Sequence, residues 1–348
     1  MKSFYLGILM LLVLTSCNQN KPSKVETVNR AFYHWKSNNS FSETKENLKS
    51  LKIQTIYYKF FEVDYSETMG NFPTNKTSLD DYDYQNLDSI RIVPTIFVRN
   101  EIFQYNTEKT LEKLADDISF LIEKRSKNHN GNVVFKYDEI QIDCDWTKST
   151  RDKYFYLLEQ IKKKSNKEIS CTLRLYPYKY PDVMGVPPVD KVMLMCYNLI
   201  KPLSNKDKNS ILDIEELKKY LNKPQDYPKH IDVALPVFYW AQLYQNNRFK
   251  ELISVSEKDF KSFTKPVKPL WFEVTKDTVL GWQSYFRKGD QIKYEEVTKT
   301  QIEEAIAIIK KNVNLDATTT ISLFDLDKTT FNTYSNEKIS SFYDSFTK

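Results

Sequence analysis

Glycine, histidine and cysteine are scarce in this chain: its 348 residues include only 6, 3 and 4 of them. With so little glycine there is no Gly-rich loop to cradle a phosphate, which removes the nucleotide-binding classes built on one. The three histidines show no metal-ligand spacing, and nothing in the chain carries a nucleotide, haem or metal signature, so no cofactor is expected. The formal net charge of +5 is spread through the chain without a Lys/Arg cluster, which argues against a nucleic-acid partner. No apolar run is long enough to cross a bilayer, and no internal repeat is visible. Aromatics are abundant, with 23 Tyr and 21 Phe. They suit either a large core or the stacking of sugar rings, and the core accounts for most of them.

At the N-terminus, Lys2 precedes an apolar run over residues 4–14, followed by Leu14-Thr15-Ser16-Cys17. This pattern reads as a secretory signal over residues 1–16 rather than a membrane span. The Leu-Thr-Ser-Cys ending resembles the bacterial lipobox, which implies that Cys17 becomes the lipidated first residue. Residues 17–27 then form a tether, and Asn18 after the cysteine resembles outer-membrane sorting. The expected address is the bacterial cell envelope, at the outer membrane, with the membrane as partner through the lipid. Cys144, Cys171 and Cys196 fall in expected neighbouring strands and read as small buried hydrophobes rather than a disulfide.

Strand-like runs recur at residues 31–35, 53–61, 91–98, 139–145, 168–175, 191–197, 231–239 and 319–326. Helical spacing fills residues 42–51, 107–127, 150–164, 214–221 and 300–311. Strands alternating with helices imply a parallel sheet, and eight such units imply an α/β fold of the closed (β/α)8 TIM-barrel type over residues 28–348. Residues 62–89 read as a long loop. Residues 250–297, between strands seven and eight, read as a small β-rich insertion. A barrel of this kind carries its sites at the C-terminal ends of the strands.

One such end is Tyr137-Asp138-Glu139-Ile140-Gln141-Ile142-Asp143-Cys144-Asp145. Successive strand side chains point to opposite faces, so Gln141, Asp143 and Asp145 share one and Ile140, Ile142 and Cys144 the other. Carboxylates are costly to bury, so an aligned pair suggests a polar site at the strand end. Two neighbouring carboxylates cannot easily both ionise, and a neutral one can act as a general acid. Arg174 on strand five is a natural partner for them, with Lys59 and Arg99 as others.

Four motifs in order resemble the family 18 chitinase-like glycoside hydrolases. Asp138 to Asp145 lies on that family's Asp-Gly-x-Asp-x-Asp-x-Glu strand, Met195-Cys196-Tyr197-Asn198 on its Met-x-Tyr-Asp, and Ala234-Leu235-Pro236-Val237-Phe238-Tyr239-Trp240 on its strand seven. Phe324 stands where an aromatic closes the barrel floor. The chain also resembles an uncharacterised set of exported bacterial lipoproteins. The family resemblance implies substrate-assisted hydrolysis of an N-acetylhexosamine glycan, with Asp145 as acid, Asp143 orienting the acetamido group and Tyr197 holding its oxygen. It implies substrate contacts from Trp35, Gln141, Trp146, Arg174, Asn198, Tyr239, Trp240 and Phe324. The departures are Asp145 for Glu, Gln141 for the second Asp, Glu139 for Gly and Asn198 for Asp. An ordinary two-carboxylate mechanism with Glu62, Asp64 or Asp325 remains open, as do a non-catalytic glycan-binding barrel and a scaffold lipoprotein.

Overall fold

The computed structural model describes residues 24–36, 41–77, 87, 89–127, 130–253, 255–280 and 284–348. The expected signal, Cys17 and the first part of the tether lie outside them. Strands β1 (Thr27–His34), β2 (Thr55–Ser66), β3 (Gly70–Thr74), β4 (Arg91–Val98), β5 (Glu139–Asp143), β6 (Glu168–Arg174), β7 (Lys191–Met195) and β8 (His230–Pro236) run in chain order through the first two-thirds of the molecule. Strands β9 (Trp240–Gln245), β10 (Arg248–Ile253), β11 (Thr264–Lys268), β12 (Trp271–Val274), β13 (Thr278–Leu280), β14 (Ser284–Phe286), β15 (Gln291–Glu295) and β16 (Thr318–Phe324) follow. All strands of the ring β1-β2-β4-β5-β6-β7-β8-β16 pair in parallel, and β1 closes it by pairing with both β2 and β16. This is the closed (β/α)8 barrel expected from the alternation of elements.

The period-2 pattern decides which side chain goes where. On β5, Ile140 and Ile142 are fully buried in the layer between strands and helices. The helix Glu108–Arg125 supplies Leu111, Leu114, Ala115, Ile118 and Ile122 to that layer, a stripe at helical spacing. Thr107 caps its first turn by accepting from the Thr110 N–H. Cys144, Cys171 and Cys196 are buried and free.

Inside the ring the alternate residues stack in layers. At the floor, the buried Glu139 carboxylate lies 2.9 Å from Arg91 and 2.8 Å from Lys191. Lys191 also approaches Asp232, which sits 3.1 Å from His230 Nε2. Above this layer, Tyr33, Tyr57 and Met193 fill the interior. Buried charges persist only when paired in this way.

Two regions differ from expectation. β2 runs on through Ser66 and turns back at Gly70 (φ +69°) into β3, so a hairpin replaces the first part of the expected loop. The alternation Glu62-Val63-Asp64-Tyr65 continues the strand pattern and accounts for it. The seventh barrel strand ends at Pro236, and the insertion sheet begins at Trp240 rather than near residue 250. Its five strands are ordered β10-β9-β15-β12-β11 around an apolar core that includes Leu243, Phe260, Val274 and Ile292.

Gly185 has φ +75° and ψ +167°, a conformation close to glycine-only, and an added Cβ would meet Arg151 Cδ at 2.7 Å and Phe155 Cε2 at 2.8 Å. Gly185→Ala therefore lowers unfolding free energy by about 2 kcal/mol or more in urea titration. Gly289→Ala, at φ +92° with nothing within 4 Å, loses less. Hydrogen bonding to Asp232, opposed by burial and aided by Asp316, pushes His230 up to about 9. Its folded value lies above its unfolded one, so its stabilisation is full below about pH 6.5 and fades toward pH 9. The difference in thermal midpoint between wild type and His230→Gln should shrink across that window.

Candidate functional site

The C-terminal end of the barrel opens into a cavity of about 620 Å³. Its walls include Asp145, Trp146, Arg174, Tyr197, Asn198 and Trp240. Each comes from just past a strand end: Asp145 and Trp146 after β5, Arg174 at the end of β6, Tyr197 and Asn198 after β7, and Trp240 after β8. Tyr176, Met195 and Tyr220 add apolar lining.

Asp145 and Arg174 form a forked pair. Arg174 Nε donates to Asp145 Oδ1 at 2.6 Å and Nη2 to Oδ2 at 3.2 Å. Nη1 of the same guanidinium donates to the Tyr197 carbonyl at 3.2 Å. Both oxygens of the carboxylate are engaged by this bidentate contact. Proton donation from Asp145 therefore requires the pair to open.

Asp143, at the last position of β5, accepts a hydrogen bond from the Thr172 hydroxyl at 2.5 Å. Burial pushes its carboxyl up to about 6. The Asp145 charge adds to this, and the Thr172 hydrogen bond and the Arg174 charge oppose it. Tyr197 is buried, and its hydroxyl has no hydrogen-bond partner among the described residues. Burial, then the Asp143 charge, hold that phenol neutral well above its ordinary range. Leaving a buried hydroxyl without a partner costs free energy, so this phenol is a candidate donor at the cavity that its residue helps to line. Asn198 holds a left-handed backbone (φ +51°), and its buried Oδ1 is likewise unpartnered among the described residues.

Beneath the cavity lies an aromatic cluster. Phe324 packs on Tyr197 with ring centroids 5.0 Å apart, on Phe238 at 5.5 Å and on Trp35 at 5.7 Å. Trp35 also meets Tyr33 and Phe97, and Lys59 Nζ lies 5.4 Å from its ring centre. Trp35 and Phe324 thus support the mouth from below rather than lining the cavity wall. Trp146 donates its indole N–H to the Met184 carbonyl at 3.3 Å.

The closed (β/α)8 barrel is similar in fold to several solved structures. A spore cortex-lytic enzyme SleL from Bacillus cereus superposes with TM-score 0.53 at 14% identity, covering 94% of this chain and 75% of its own. A chitinase from Bacteroides thetaiotaomicron gives 0.53 at 12%, covering 92% and 97%. A plant class V chitinase mutant from Cycas revoluta, in complex with (GlcNAc)3, gives 0.51 at 9%, covering 91% and 100%. At these identities the likeness concerns the fold. No protein-family model and no curated protein matches the sequence.

Besides Trp35 and Phe324, three expected site residues do not line the cavity: Asp143, at the last position of β5, Gln141 and Tyr239. Gln141 is fully buried one layer below the mouth: it accepts from the Tyr33 hydroxyl at 2.6 Å and donates to Ser170 at 3.3 Å, and it makes no hydrogen bond to Asp143. Alternation fixes its face but not its depth. Tyr239 packs against Tyr294 of the insertion and lines a separate cavity of about 390 Å³. The chain reverses between β8 and β9, so consecutive residues 239 and 240 face different spaces.

The other carboxylates are placed as follows. Glu62 pairs with Lys59 at 3.0 Å and Arg99 at 3.3 Å, and Asp64 with Arg99 at 3.1 Å. An irregularity between Lys59 and Phe61 puts residues 59 and 62 on one side of β2, where strict alternation would separate them. Asp325 is buried and pushed up to about 6 by desolvation, against the pull of Lys36. Among the described residues, no group of three His, Cys, Asp or Glu is placed to hold a metal ion. Sequence reading missed Glu295, which accepts the Trp240 indole N–H; its strand, Gln291–Glu295, falls in the expected β-rich insertion, where no site residue stands out.

The Asp143 carboxyl titrates above its unfolded value, so the native state binds the proton more tightly and loses stability as pH rises from about 4 past 6. Asp143→Asn is therefore expected to raise the unfolding midpoint at pH 8 relative to wild type and to change it little at pH 4, as read by calorimetry.

Proposed function

We propose that this protein is a glycan-binding barrel that holds an N-acetylhexosamine oligosaccharide in the mouth cavity without cleaving it. The observation that carries this reading is the forked Arg174–Asp145 pair. It occupies the position that the resemblance gives to the catalytic acid and engages both oxygens of that carboxylate with a guanidinium. The features that grip a sugar remain: an unpartnered Tyr197 hydroxyl, two tryptophans in the walls, and a floor of packed aromatics. Apolar walls with a few placed polar groups are the ordinary make-up of a small-ligand site. The Tyr197 hydroxyl serves as donor to the acetamido oxygen. The related fold in complex with (GlcNAc)3 supports the ligand class.

We place the protein on a membrane through a lipid at Cys17. β1 begins at Thr27, at the end of the barrel opposite the cavity, and Cys17 precedes it by a short polar segment. A lipid there points the mouth away from the bilayer. No helix among the described residues is long and apolar enough to cross a membrane.

A second reading, hydrolysis, has one observation in its favour. Asp143 titrates near 6 beside the free Tyr197 hydroxyl, which gives the mouth one carboxyl that is protonated in mildly acidic solution. Calorimetry and product analysis with chitotriose and chitotetraose separate the two. Binding is expected without release of shorter sugars between about pH 4 and 8, and Tyr197→Phe should weaken it by about 5–10-fold, the worth of one hydrogen bond. Sugar release that disappears in Asp145→Asn would establish hydrolysis instead. Absence of binding to every oligosaccharide would sink both.

A further inference from the structure

We propose that Glu295 is a positioning residue for the cavity: it sets the plane of the Trp240 ring and ties the insertion sheet to the loop after β7. The proposal rests on the glycan reading above and adds the residue that shapes one wall.

Glu295 ends β15 and is fully buried. Its Oε1 accepts the Ser210 backbone N–H at 2.9 Å and pairs with Lys293 Nζ at 2.7 Å. Its Oε2 accepts the Ser210 hydroxyl at 2.6 Å, Gln242 Nε2 at 3.1 Å and the Trp240 indole N–H. Lys293, also buried, passes its remaining donors to the carbonyls of Asn205 at 2.8 Å and Lys208 at 2.7 Å. Both charges are thus saturated, and every partner lies on β9, on β15 or on the segment 205–210.

Stability alone is a poor reason for this arrangement. A buried Lys–Glu pair is on average no better than apolar side chains of the same size. The insertion already has an apolar core of Leu243, Ile292 and their neighbours. What the pair adds is geometry. Trp240 and Glu295 are directly opposed across the β9–β15 ladder, so their side chains share a face and the indole N–H reaches the carboxylate. That bond fixes the rotation of the indole about its stem, and with it the ring face turned to the cavity. Ser210 belongs to the same loop as Asn198 and Leu199, which line the cavity, so the same carboxylate registers the loop against the tryptophan. Held groups bind with less ordering cost than free ones.

The experiment uses the full chain with Ser210→Ala, Glu295→Gln and Trp240→Leu, singly and with each of the first two combined with the third. Chitotetraose affinity is measured by calorimetry, and acrylamide quenching of the Trp240 emission is taken as the difference from Trp240→Leu. Each single variant is expected to weaken binding by about 5–20-fold, while Ser210→Ala or Glu295→Gln added to Trp240→Leu changes it by less than about 2-fold. Trp240 quenching should rise in both single variants. If the losses add in full on the Trp240→Leu background, or if quenching is unchanged, the positioning role is overturned. If Glu295→Gln fails to fold, Ser210→Ala carries the comparison. If the wild-type chain binds no oligosaccharide, the glycan reading fails and the quenching comparison alone decides whether Glu295 holds Trp240.

Discussion

The guanidinium of Arg174 reaches two ways across the barrel mouth, to both oxygens of Asp145 and to the backbone carbonyl of Tyr197. The chemistry open to the cavity depends on this contact. With it intact, Asp145 is an ion-paired wall element, and among the described residues that line the cavity the buried polar atoms without a hydrogen-bond partner are the Tyr197 hydroxyl and Asn198 Oδ1. With it broken, Asp145 would face the cavity unpaired, with the raised carboxyl of Asp143 two residues before it on the same strand. In the geometry seen here the pair is closed.

That pair is precise because of what lies beneath it. Glu139, Gln141 and Asp143 descend through the barrel as successive inward-facing positions of one strand. The lowest is matched by Arg91 and Lys191, the middle by Tyr33 and Ser170, the uppermost by Thr172. These three side chains of β5 all have partners, which helps hold the strand in register, whereas the buried Tyr57 hydroxyl beside them has no hydrogen-bond partner among the described residues. The aromatic cluster of Trp35, Phe238 and Phe324 fills the space between these groups and the cavity and excludes slack under Tyr197. On the far side, the insertion supplies the wall opposite Arg174 through Trp240.

Much of this was legible in the residues. Eight strand-like runs separated by helical spacing led to the closed barrel because both periods follow directly from backbone geometry. Motif order put Asp143, Asp145, Tyr197 and Asn198 at one mouth, since strand ends in such a barrel converge; Asp145, Tyr197 and Asn198 line the cavity and Asp143 does not. The failures have physical causes. Periodicity assigns Gln141 to a face but carries no depth, so a fully buried residue read as a site residue. Tyr239 and Trp240 lie where the chain leaves β8 for β9, and no local pattern says which of two adjacent aromatics turns inward. Glu295 and Lys293 do not stand out because their partners Trp240, Gln242, Asn205 and Ser210 lie more than 50 positions away in sequence. A charge pair buried by a non-local contact leaves no local mark.

The central claim is that the mouth receives an N-acetylhexosamine glycan while Asp145 stays engaged with Arg174. The most direct measurement is a crystal structure of the protein with chitotriose. The account predicts the acetamido oxygen at hydrogen-bond distance from the Tyr197 hydroxyl, a sugar ring against Trp240, and the Arg174–Asp145 fork unbroken. A sugar bound with Asp145 swung away from Arg174 and directed at a glycosidic oxygen, or a ligand bound elsewhere on the molecule, would contradict it.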